Sequence, residues 1–245
     1  MPAAPHYLDL SLDSPAANLA LDEALLDHCE NGAGPAGGVL RCWETPAYFV
    51  VVGYGNRVAA EVDEAACCEA GVEIFRRCSG GGTVLQGPDC LNYALVLPIE
   101  EAGPLASITG ANDFIMQRNR GAVAALATGP VTVAGHTDLA LAGRKFSGNS
   151  QRRRRRFLLF HGTFLLNFDL ALIERVLHSP SREPAYRAGR PHTDFLTNLA
   201  VRAADLRAAL RHAWNADAAL ENPPLKFAHE LAVSRYATDA WNRRL

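Results

Sequence analysis

Only two of the chain's 24 basic residues are lysines, and one of them, Lys145, sits in Gly143-Arg144-Lys145-Phe146-Ser147-Gly148-Asn149. The chain otherwise carries its positive charge on arginine. An ammonium here is a compact point charge that reaches a single oxygen at the bottom of a pocket, where a planar guanidinium is too wide. Earlier in the chain lies Arg76-Arg77-Cys78-Ser79-Gly80-Gly81-Gly82-Thr83-Val84. Consecutive glycines let backbone approach a ligand closely and leave N–H groups free for anionic oxygens. Together the two segments point to a site for a phosphate or a carboxylate ester.

Positioning such groups takes a packed scaffold, and the composition provides for one. The 245 residues are 49% apolar and 20% charged, as expected of a globular chain with a sizeable core. We read residues 1–245 as a single domain. A net charge of −2 argues against a nucleic-acid partner. No run reaches the roughly 18 apolar residues of a membrane span, and no signal peptide is visible from Met1 to Leu10. The six cysteines form no CxxC pair, which predicts reduced thiols, no zinc site and a cytoplasmic location.

Apolar periodicity predicts helices over 18–29, 62–70, 107–126, 170–177, 203–214 and 226–241. Strands are predicted over 39–43, 48–53, 72–76, 91–97, 139–142, 145–147 and 158–166. The stretch from Pro180 to Pro191 reads as a surface loop. The elements interleave without strict βαβ alternation. That predicts an α/β or α+β domain with a mixed, largely antiparallel sheet flanked by helices.

Arg76 to Gln86 resembles the glycine-rich signature of the lipoate–protein ligase A family. The segment around Lys145 is similar to that family's lysine motif, and His161-Gly162-Thr163-Phe164-Leu165-Leu166 to the strand that follows it. The opening helix Asn18-Leu19-Ala20-Leu21-Asp22-Glu23 and the strand ending at Trp43 also match. The resemblance implies the biotinyl/lipoyl transferase-like fold. It implies a ligase that uses ATP and Mg²⁺ to convert lipoate to lipoyl-adenylate. The lipoyl group then passes to a lysine on an apo lipoyl domain of a 2-oxoacid dehydrogenase complex, or on the glycine cleavage H protein.

By position, the resemblance implies catalytic roles for Lys145 and Asp138, with Asp138 also assisting Mg²⁺. It implies ligand contacts from Arg77, Ser79, Gly80, Gly81, Gly82 and Thr83 in the first loop. Ser147, Gly148, His161, Gly162 and Thr163 extend that set, and Trp43 lines the acyl tunnel or is plain core. The chain stops just after Tyr236 to Asn242, where the resemblance implies the end of a catalytic domain. An accessory domain is therefore expected to be absent, or supplied by a separate subunit.

Two other readings stand beside the ligase. One is an acyltransferase of the same fold, taking octanoyl from acyl carrier protein, or lipoyl from another protein, without ATP. Cysteine-using relatives hold the acyl group as a thioester, in the loop before the lysine motif or near the end of the domain. This chain has no cysteine after Cys90, and Cys78 beside Arg77 is the one candidate. The other is a non-catalytic binder of lipoate or lipoyl-adenylate. The sequence departs from the family pattern at Gln86-Gly87, where many relatives have His-Asp, and at Cys90, Asp22 and Thr137. The run Arg152 to Arg156 reads as a mobile solvated loop, or as a patch that steers an acidic carrier toward the site.

Overall fold

The computed structural model describes residues 3–245. Its ten strands are β1 (His6–Asp9), β2 (Val39–Trp43), β3 (Phe49–Val52), β4 (Glu73–Arg76), β5 (Val84–Gln86), β6 (Cys90–Pro98), β7 (Val131–Ala134), β8 (Asp138–Leu141), β9 (Arg144–Arg153) and β10 (Phe157–Leu165). Seven form a large sheet in the order β1-β2-β6-β10-β9-β8-β7, and three a small sheet in the order β4-β3-β5. Only β1–β2 and β3–β4 pair in parallel. The mixed, mostly antiparallel sheet flanked by helices is the predicted class.

Helix α1 (Pro15–Glu30) begins where the Ser14 hydroxyl accepts from Ala17 N at 3.2 Å and Pro15 pre-sets the first turn. Its residues are buried on nearly every side, because it lies between the large sheet and the C-terminal segment. The opposite face of the large sheet, through Leu91, Tyr93, Leu95 and Phe160, packs on helices over Ile108–Ala124 and Ala203–Ala213. Among the described residues no helix is long and apolar enough to cross a membrane.

Three strands escape the sequence reading: β1, β5 and β7 are three or four residues long and too short to show a period. Strand β9 runs to Arg153, well past the predicted 145–147. Its polar residues carry no alternation, and the backbone ladders to β8 and β10 on both sides hold it extended. The helix expected over 62–70 is found as Glu64–Ala70, because the Asp63 carboxylate accepts from Ala66 N at 2.9 Å and caps it, and a separate short helix, Val58–Glu61, precedes it. The expected last helix divides into Leu225–Leu231, a π-helical turn at Ala232–Tyr236, and Asp239–Asn242.

The arginine run is not a mobile loop. It ends β9 and turns into β10. Arg152 donates to the Cys78 carbonyl at 3.0 Å, and Arg153 to the Leu105 carbonyl at 2.8 Å. Arg154 pairs with Asp27 at 2.8 Å, and Arg156 donates to the Glu30 carbonyl at 3.1 Å. Four guanidiniums thus tie the hairpin to its surroundings. At about 3.3 Å per residue, the end of β9 lies roughly 26 Å from Lys145. The mobile-loop reading is corrected.

Candidate active site

A cavity of about 690 Å³ opens between the large sheet, the small sheet and the segment from Leu177 to Leu196. Its size is ordinary for a small-molecule site, roughly 300–1,000 Å³. Strand register builds its floor. Asp138 pairs with Gly148, Gly148 with Thr163, Thr163 with Asn92, and Asn92 with Trp43. Residues directly opposite one another share a sheet face, so this row runs across five strands on the cavity side.

Gly148 is the gap in that row, and Lys145 fills it. A Cβ added at Gly148 would meet Lys145 Nζ at 2.7 Å. The ammonium is held 2.8 Å from Asp138 Oδ1, while Asp138 Oδ2 accepts from the Tyr186 hydroxyl at 2.7 Å. Burial, and then the charge of Asp138, push the Tyr186 hydroxyl well above the usual phenol range, so it stays a donor. We expect Gly148→Ala to fold normally, since only the tip of a flexible side chain must move. Displacing that tip should lower turnover by roughly tenfold to a hundredfold. Steady-state kinetics alongside a thermal melt check this, and undiminished turnover would show that the ammonium's position is immaterial.

Magnesium does not fit here. Both Asp138 oxygens are engaged by Lys145 and Tyr186. Among the described residues, no cluster of three or more His, Cys, Asp or Glu could hold a metal. The metal role expected of Asp138 is corrected accordingly.

The glycine loop is organised from below by Arg77. Its guanidinium donates to the carbonyls of Gly80 at 2.5 Å and Gly82 at 2.6 Å, and to Ser79 Oγ at 3.1 Å. Burial holds this arginine down to about 10. The side chain is therefore spent on loop geometry, although it also borders the cavity. Gly81 adopts φ 82, which only glycine takes without strain. Gly81, Gly82 and Thr83 line the cavity, whereas Ser79 and Gly80 do not. Ser79 Oγ instead lies 2.5 Å from His161 Nε2. His161 Nδ1 lies 3.4 Å from Asp22 Oδ2, and Asp22 Oδ1 pairs with the buried Arg41 at 2.6 Å. With both ring nitrogens facing partners, His161 ties the loop to α1.

Cys78 is corrected as a nucleophile. It is 2% exposed, packs in the core under α1, and does not line the cavity. Burial, and then the charge of Glu23, push its thiol up to about 12. None of the other five cysteines lines the cavity.

Of the residues singled out in the sequence, Trp43, Arg77, Asp138, Lys145, Ser147, Gly148, His161, Gly162 and Thr163 all meet at this cavity, with the loop residues above. Sequence reasoning missed Tyr186, which lay in a stretch read as plain surface loop. It also missed Asn92, whose only signal was being the one amide in an apolar strand. Gln86 was visible as a departure, without a role.

The family model for the lipoyl protein ligase A/B catalytic domain matches residues 14–208. Among curated proteins, the octanoyltransferase LipM of Carboxydothermus hydrogenoformans is 31% identical over 74% of this chain and 72% of its own. The Brevibacillus brevis octanoyltransferase LipM is 26% identical over 97% of this chain and 98% of its own. Among solved structures, a bi-partite lipoate protein ligase from Thermoplasma acidophilum superposes with TM-score 0.80 at 21% identity, covering 98% of this chain and 97% of that one. A lipoate-protein ligase A bound with ATP superposes with TM-score 0.77 at 22% identity, covering 98% and 99%. At such identities these structures establish the fold alone. Both curated relatives carry a transferase's name, one of them matched over 98% of its length, and this overturns the expectation of an ATP-dependent ligase.

Proposed function

Because the chain belongs to the lipoyl protein ligase A/B catalytic domain family, we propose that it is an acyltransferase that moves an octanoyl or lipoyl group from a carrier-bound thioester to a lysine of an apo lipoyl domain, without ATP. The near full-length match to octanoyltransferases carries this reading. The cavity supports it with a space bordered by a held ammonium. In this reading the two sheets act as one catalytic unit.

The chemistry then runs as a single displacement. The incoming amine attacks the thioester carbonyl carbon, a C–N bond forms and the C–S bond breaks. Negative charge gathers on the carbonyl oxygen, and Lys145 Nζ supplies a preorganised positive charge for it. Asp138, steadied by Tyr186, keeps that ammonium over Gly148. The proton lost by the amine leaves with the departing thiolate as a thiol. The placement of the cysteines supports direct transfer, since no thiol borders the cavity to hold the acyl group.

Intact mass of an apo lipoyl domain, incubated with this protein and octanoyl-acyl carrier protein in the absence of nucleotide, tests the reading. A gain of one octanoyl group is expected, and no gain would sink it. Pretreatment with a thiol alkylating agent should leave the rate within about twofold, since five thiols are buried and the exposed one, Cys68, lies outside the cavity. An acyl adduct on the enzyme that alkylation abolishes would refute the direct route.

A further inference from the structure

On the helix-packed side of the large sheet, one line of hydrogen bonds runs from the helices to the strand positions under Lys145. It starts at Trp214, at the end of the helix over Ala203–Ala213, whose indole N–H donates to Asn119 Oδ1 at 2.9 Å. Asn119 Nδ2 donates to the Tyr93 hydroxyl at 2.9 Å, and that hydroxyl donates to Asn149 Oδ1 at 2.6 Å. Asn149 Nδ2 donates to the Thr137 backbone carbonyl at 2.7 Å, and the Thr137 hydroxyl donates back to the Asn149 carbonyl at 2.7 Å. Trp214, Asn119 and Tyr93 are all buried.

The sense of the line is fixed at both ends. An indole N–H can only donate and a backbone carbonyl can only accept, so each amide between them has one orientation that serves both neighbours. Burial pushes the Tyr93 hydroxyl well above the usual phenol range, so it keeps the proton it donates. A buried network whose members are all paired is rigid, and cutting one link leaves unpaired groups on both sides of the gap.

Register shows what the line holds. Tyr93, Gly162 and Asn149 stand directly opposite one another on three neighbouring strands. Gly162 lets the Tyr93 hydroxyl reach across it, since a Cβ there would overlap Asn149 Oδ1. The pairing of β8 with β9 begins at Asp138 opposite Gly148. Thr137 and Asn149 are the next residues outward, so their two mutual bonds clamp the open end of that ladder. The ammonium rests on this end, with Asp138 Oδ1 at 2.8 Å from Lys145 Nζ and Gly148 beneath it.

We infer that Tyr93 and Asn149 are positioning residues for acyl transfer, which fix the start of β8 so that Asp138 holds the Lys145 ammonium at the reacting carbonyl. They act through Thr137 and Asp138 and need not touch the acyl group. The inference rests on the acyltransferase reading for the reaction, and on geometry alone for the placement of the lysine.

Tyr93→Phe, in the full chain, removes one hydroxyl and keeps the ring in the core. Labelling of Lys145 by an amine-acylating reagent, read by peptide mass spectrometry, should rise severalfold. The chain's other lysine, the exposed Lys226, is the internal reference. Hydrogen exchange over residues 135–141 should quicken as well. With octanoyl-acyl carrier protein and an apo lipoyl domain, kcat should fall about tenfold while KM stays within about twofold. Thr137→Val, which cuts the outermost bond at a half-buried position, is a second variant in case the first does not fold, and should move labelling the same way. Ile115→Val, a core change on the same side of the sheet but off the line, should move none of these readouts. Unchanged Lys145 labelling in both variants, unchanged kcat where labelling has risen, or an equal response from Ile115→Val overturns the inference. Labelling that rises as expected in a protein that transfers no acyl group would support the positioning and count against the acyltransferase reading alone.

Discussion

Lys145→Ala is expected to slow acyl transfer about a hundredfold or more, the cost of losing one preorganised group at a developing oxyanion, on the order of 3 kcal/mol. The fall should lie in kcat more than in KM, because the ammonium meets full negative charge only in the transition state. Stability should barely change. The side chain is 23% exposed, and Asp138 keeps the Tyr186 hydroxyl as a partner. Lys145→Arg should not rescue the rate, since a guanidinium cannot occupy the gap that a single ammonium fills over Gly148. Single-turnover kinetics with a carrier-bound thioester give the comparison. A variant that keeps wild-type kcat would remove the lysine from the chemistry and turn attention to the glycine-loop N–H groups.

Asp22→Ala is expected to lower the melting temperature by roughly 10 °C, from a loss of about 3–5 kcal/mol. Arg41 is wholly buried and pairs with Asp22 Oδ1 at 2.6 Å. Its other donors reach the Leu10 and Asn18 carbonyls and the Asn18 amide oxygen. Those neutral acceptors remain in the variant, but the guanidinium then keeps its charge in the core with no counter-charge. Replacing Asp22 with Asn should cost less, because an amide oxygen still accepts. Calorimetry of the three proteins separates the terms, and equal melting temperatures for Asp22→Ala and wild type would show that water reaches Arg41. The same variants should loosen His161, whose Nδ1 faces Asp22, and with it the glycine loop at Ser79.

Some of the site could be read along the chain because its chemistry is local. The three glycines, Lys145 and the His161 strand each announce themselves within a few residues. Asn92 and Tyr186 do not. Asn92 looks like one amide in a buried strand, and Tyr186 like one aromatic in a loop. Each acquires a role from a partner 71 or 48 residues away, Thr163 for the first and Asp138 for the second. The arginine run shows the opposite error. Five like charges read as solvated, yet backbone carbonyls and carboxylates from distant elements pair four of them.

By itself the sequence determined the fold class, the family, and the meeting of a glycine loop with a lone lysine, since periodicity and ordered motifs are properties of the chain. Only the tertiary structure decided that Asp138 holds that lysine instead of a metal, and that Cys78 is sealed in the core. Those outcomes depend on which strands stand side by side and on what packs over them. Burial and cross-strand register set the charge on a thiol and the partners of an amide, and neither is written in a residue's neighbours along the chain.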